Sequence, residues 1–286
     1  MKLLFYIPTL IPVFIIRLFI SFLVNVGLFN HTTGFRVTKT NLGLCYKNLS
    51  KDELNTLTKK SYIETLISAY ETLEAWSRPI HISGRRIYRI ENNFLISRNV
   101  EAKNGLAIIS IHNRSVDMLL KWANETIETV SLYKKIKIKS LNKFVKKQRQ
   151  SKNSTLYETS ISGTRKIYKA YRLNKTICIV ADQVPQRGMG EYVKFFNNTA
   201  YTATLASSIV NKLQKPAVYI CMNSYKNNLL GITIRPSKTN IYNDSEHQLS
   251  LNQSIEELIN INPIDYAWEY KRFRRQQSGN DPYVGI

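Results

Sequence analysis

Residues 3–29 form an almost unbroken apolar run, interrupted only by Pro8, Pro12 and one charge, Arg17. At about 20 residues per crossing the run is long enough to traverse a bilayer. It predicts an N-terminal hydrophobic membrane helix, and the prolines and Arg17 leave a tilted or interfacial course open. It is too long for a signal peptide, and no small-residue cleavage site follows it. The period then changes. Ser50 followed by Glu53 makes a capping box, and Tyr62, Leu66, Ala69 and Leu73 recur at helical spacing ahead of Trp76. After Pro79 and Gly84, short apolar runs alternate with helical patterns. Strands are expected near 87–96, 106–111, 131–133, 154–159, 176–181, 216–222 and 229–234, with a further strand at 135–139 if its Lys/Ile alternation is paired. Helices are expected at 163–173, 202–213, 246–259 and 264–275. The alternation predicts an α/β fold, a central mixed sheet flanked by helices. Residues 1–30 read as a membrane anchor and 31–286 as a single domain.

Composition sharpens the picture. The 286 residues hold 41 Lys+Arg against 20 Asp+Glu, a formal charge of +21. Such an excess implies an anionic partner. Between Glu128 and Glu158 there are nine basic residues and no acid, which suits anionic headgroups or an acidic carrier protein. Basic residues follow the apolar run while only Lys2 precedes it, so the positive-inside rule places the body in the cytoplasm. Cys45, Cys178 and Cys221 are odd in number and far apart, as expected of reduced thiols. The four histidines show no metal-ligand spacing.

The candidate chemistry lies in 106–124. His112 falls at the end of a buried strand, Ser115 can cap the next helix, and Asp117 lies in its first turn. This His-x4-Asp spacing across a strand–turn–helix corner can place a carboxylate on one imidazole nitrogen and leave the other free as a base. Asp182 and Gln183 end another buried strand and belong in the same crevice beyond the strand carboxyl ends. The two glycines at 186–190, with Arg187, are a weak phosphate cradle.

These features together resemble the late acyltransferases of lipid A biosynthesis, the lauroyl/myristoyl transferases of Gram-negative inner membranes. Glu71-Thr72, Ala75-Trp76 and Pro79 resemble that family's E-T-x-x-A-W-x-x-P helix. His112-x4-Asp117 follows, then Asp182-Gln183 with Phe195-Phe196. Pro263, Tyr266, Trp268, Lys271, Arg272 and Phe273 resemble its closing motif. Many members carry Glu in place of Asp117, and a glycine-containing corner where this chain has Asn113-Arg114-Ser115. The corner is also similar to the H-x-S-x-x-D box of glycerolipid acyltransferases, whose sheet-and-helix fold is expected here.

The resemblance implies transfer of a fatty acyl chain from acyl carrier protein to a hydroxyl of a lipid A precursor, at the cytoplasmic face of the inner membrane and without a separate cofactor. His112 would be the base and Asp117 its orienter; Arg149, Asp182, Gln183, Arg114 and Glu71 are the candidate substrate contacts. No G-x-S-x-G elbow is present, so direct attack by the hydroxyl is expected. The same chemistry on another membrane glycolipid or glycerolipid is the first alternative. A basic nucleic-acid or anionic-lipid binding protein is the second, though no nucleic-acid module accompanies the charge.

Overall fold

The computed structural model describes residues 2–286. The expected single apolar helix is broken in two. α1 (Lys2–Tyr6) runs into a short 3-10 turn, and α2 (Val13–Asn25) leaves at 83° to that first arm. Pro8 lies in the 3-10 turn and Pro12 caps α2, so the ring constraints fall at the break. No helix among the described residues is by itself long and apolar enough to cross a membrane. α3 (Thr33–Cys45) and the long α4 (Lys51–Ser77) follow, the latter opened by the Ser50–Glu53 capping box. Both N-terminal arms pack on α4.

The remaining elements build the domain: α5 (Ile80–Ser83), β1 (Ile87–Glu91), α6 (Phe94–Glu101), β2 (Leu106–Ser110), α7 (Val116–Thr126), β3 (Thr129–Tyr133), α8 (Lys139–Arg149), β4 (Ser154–Glu158), α9 (Ile161–Arg172), β5 (Thr176–Val180), β6 (Gly190–Phe195), β7 (Asn198–Ala203), α10 (Leu205–Leu213), β8 (Ala217–Ser224), β9 (Leu230–Pro236) and α11 (His247–Ile261). Seven strands form one mixed sheet in the order β1-β9-β8-β2-β5-β3-β4, with β8 and β9 antiparallel and every other pair parallel. β2 is buried throughout, with apolar layers on both faces. From β2 the chain moves to β3 and β5 on one side, and only afterwards to β8 on the other. That reversal opens a crevice beyond the carboxyl end of β2.

Three expectations are corrected. Residues 135–139 form no strand: the sheet ends at β4, and the chain peels away with the Ile136 N–H held by Asn142 Oδ1 at 2.9 Å. Residues 190–203 form the separate β6–β7 hairpin, so the helix expected from 202 begins only at Leu205. Its turn residues Phe196 and Asn197 have φ of +47° and +59°, as a two-residue primed turn requires. Residues 264–275 form no α-helix, only the end of a 3-10 turn at Pro263–Asp265, because their backbone groups bond elsewhere. The Ala267 N–H donates to the His112 carbonyl at 2.9 Å, and Asn41 Nδ2 donates to the carbonyls of Trp268 and Tyr270. Trp268 and Phe273 are fully buried in the core, and the segment straps the corner after β2.

Candidate active site

The corner is set by register. Ser110 on β2 stands beside Val180 on β5, so two residues further along each strand His112 and Asp182 emerge side by side. Asp182 Oδ1 accepts from His112 Nδ1 at 2.7 Å, and Oδ2 accepts from the His112 backbone N–H at 2.9 Å. One carboxylate thus fixes both the ring and the backbone of the histidine. With Nδ1–H donating to the Asp182 carboxylate, Nε2 carries the free lone pair. The Gln183 carboxamide nitrogen lies 3.2 Å from it. A third of the His112 side chain is exposed, whereas Asp182 is sealed. Burial disfavours the imidazolium, but the Asp182 charge and hydrogen bond, reinforced by Glu269 and Asp117, lift the His112 pKa above its usual value. Burial alone would raise Asp182, yet its bonds to His112 hold it below the ordinary aspartate range.

The carboxylate on Nδ1 is therefore Asp182, and the expectation that Asp117 sits there is corrected. Asp117, in the first turn of α7 behind the Ser115 cap, accepts from Arg149 Nε at 2.5 Å and Arg149 Nη2 at 3.0 Å. The bidentate pair pins the last residue of α8 to the corner. The local spacing favoured Asp117; only the sheet register brings Asp182 to the ring.

Arg114 and Glu71, expected to touch substrate, are also corrected: both are buried in a charge cluster beneath the corner. Arg114 Nε and Nη2 bond Glu71 at 2.9 and 3.0 Å, and Nη1 reaches Glu64 and, at 3.3 Å, Asp265. Arg86 bridges Glu71 and Glu74 at 2.9 and 2.7 Å, and Arg17 of α2 pairs with Glu64 from outside. Burial pushes Asp265 up to about 6, despite Arg114 and two hydrogen bonds from Ser224. Arg114 has φ +56°, the left-handed conformation that favours glycine. Its ion pairs and the bond from its N–H to the Asp265 carbonyl, 2.8 Å, offset that cost.

Sequence reasoning missed Glu269. Burial raises its pKa, its carboxylate accepts from Thr65 Oγ1 at 3.1 Å, and its charge acts on His112. No local pattern marks it, because the strap carries it to the site. The glycine loop is not a phosphate cradle, since Gly188 and Gly190 both donate their N–H groups to the Tyr201 hydroxyl. Among the described residues the corner thus combines an oriented imidazole and a neighbouring carboxamide with, on the adjoining helix, a guanidinium pinned by Asp117. That set suits proton abstraction from a hydroxyl and stabilisation of a nearby oxyanion.

A family model described as bacterial lipid A biosynthesis acyltransferase matches residues 3–275 of the chain. No curated protein matches it significantly.

Proposed function

The chain belongs to the bacterial lipid A biosynthesis acyltransferases, and on that premise we propose that it moves a fatty acyl chain from an acyl-carrier-protein thioester to a hydroxyl of a lipid A precursor. His112 Nε2 takes the hydroxyl proton as the oxygen attacks the thioester carbonyl. The tetrahedral intermediate then collapses, the carbon–sulfur bond breaks, and the imidazolium returns its proton to the departing thiolate. An ester and a free thiol result, with no acyl-enzyme. Asp182 holds the tautomer and steadies the imidazolium. Gln183 stands where the acceptor hydroxyl would bind and gives way to it. Arg149, fixed by Asp117, is the cation assigned to the oxyanion. The basic surface serves the acidic carrier and the lipid phosphates, and the protein works at the cytoplasmic face of the inner membrane.

The observation that carries this reading is the Asp182–His112 pair at the crevice mouth with Nε2 free of any carboxylate. The test is transfer of radiolabelled acyl from acyl carrier protein to a lipid A precursor, run beside a phosphoglycerol acceptor. Product on the precursor alone is expected. Transfer only to the glycerolipid would change the acceptor, and no transfer to either would remove the reading. The base must be neutral, so the rate should rise as pH passes the imidazole pKa, with the limb above the ordinary value near 6.5. A pH–rate profile with its acid limb below that value would contradict the role given to Asp182.

A further inference from the structure

α2 is apolar on the side it turns outward. Phe14, Ile15, Leu18, Phe19, Phe22 and Val26 form one continuous helical stripe, with Leu18, Phe19 and Phe22 at 68%, 61% and 63% exposure. The inward side carries Arg17 and Val24 and packs on α4. Arg17 bonds Glu64 with both terminal nitrogens and donates from Nε to Asn228 Oδ1 at 2.6 Å. The one charge in the apolar run thus faces protein. In the first arm Leu3, Leu4, Ile7 and Leu10 are likewise exposed. A surface this apolar demands a partner.

The bend is built into the fold. The break in the helical ladder frees backbone carbonyls at Thr9 and Ile11. Arg78 bonds the Thr9 carbonyl and, from Nε at 2.9 Å, the Thr9 hydroxyl, while the Tyr70 hydroxyl donates to the Ile11 carbonyl at 2.8 Å. Phe5 anchors the first arm between Trp76 and Phe144. Phe144 belongs to α8, so the basic helix borders the apolar surface, and Lys137, Lys139, Lys143 and Lys147 are exposed on and just ahead of it. Neither arm spans: the 13 residues of α2 cover about 20 Å against a hydrocarbon core of about 30 Å.

We propose that the bent N-terminal pair is an in-plane membrane seat: both arms lie in the interface of an anionic bilayer, enter and leave on the same side, and are rimmed by the α8 lysines. The charge complementarity of that rim commits the surface to a phospholipid bilayer. The proposal rests on the membrane location given above and specifies how the protein meets it.

The test uses the full chain with Cys45→Ser and Lys2→Cys, bound from outside to closed vesicles of phosphatidylethanolamine and phosphatidylglycerol. A membrane-impermeant maleimide should label the new cysteine equally before and after detergent, because the N-terminal arm never leaves the outer face. Labelling only after detergent means a crossing, which overturns the in-plane seat and leaves membrane attachment standing. Failure of the unaltered chain to float with the vesicles overturns both. Phe19→Glu with Phe22→Glu should weaken flotation at least about tenfold, with an unchanged melting temperature because both side chains are already exposed. Unweakened flotation removes the stripe as the contact. Replacing phosphatidylglycerol by phosphatidylcholine should weaken binding by at least about tenfold; equal binding removes the cationic rim.

Discussion

Asp182→Asn is expected to lower acyl transfer by about 10³- to 10⁴-fold with the fold intact, because an amide on Nδ1 stabilises neither the productive tautomer nor the imidazolium. Among the described residues Asp182 is the sole carboxylate bonded to the ring, and its second oxygen also holds the His112 backbone. Asn retains the size and one acceptor, so circular dichroism should report native structure. The pH profile separates orientation from damage: burial remains while the charge that lifts the imidazole is gone, so the residual activity should titrate at lower pH than in the unaltered protein. Asp117→Asn should behave differently. It weakens the grip on Arg149, so it should cost on the order of 10²-fold, as loss of one oxyanion donor does, and lower the pH limb less than Asp182→Asn does, because Asp117 is the smallest of the charges that lift the imidazole. If Asp117→Asn moved the limb further than Asp182→Asn did, the assignment of the two carboxylates would be reversed.

Arg114→Met should destabilise the protein by about 3–5 kcal/mol, since it leaves three buried carboxylates short of their central cation. Arg17 and Arg86 hold Glu64 and Glu71 from the flanks, but among the described residues no other cation pairs with Asp265. Scanning calorimetry should show melting lowered by roughly 10 °C for a chain of this size. Arg114→Gly removes the same charge while relieving the left-handed backbone at φ +56°. It should therefore recover about 1 kcal/mol of that loss. Equal melting of the two variants would mean the conformation carries no strain. Native stability in both would mean that the cluster is not what holds the corner.

Locally encoded features were legible in the chain. The Ser50–Glu53 box and the Ser115 cap form as expected, with Ser115 Oγ accepting from the Met118 N–H at 3.2 Å. The apolar runs at 106–111 and 176–181 are the paired central strands, and the spacing placed His112 and Asp182 in one crevice. What escaped was set by distant contacts. The ring's partner depends on β2–β5 register across 70 residues of chain. Arg114 and Glu71 read as substrate contacts because charge patterns do not reveal burial. The β6–β7 turn uses Phe196-Asn197, without the glycine that usually marks such a hairpin. The closing segment has helical spacing of aromatic residues, but its backbone bonds are committed to His112, Asn113 and Asn41.

The strap has a consequence for the order in which a nascent chain acquires its properties. Asp265, Tyr266 and Ala267 seat the three residues at the end of β2, yet they are synthesised some 150 residues after them. The apolar N-terminal arms are synthesised before the strap, while the reactive corner is still unheld. Ribosomal synthesis thus completes the proposed membrane seat before the imidazole is held in working position.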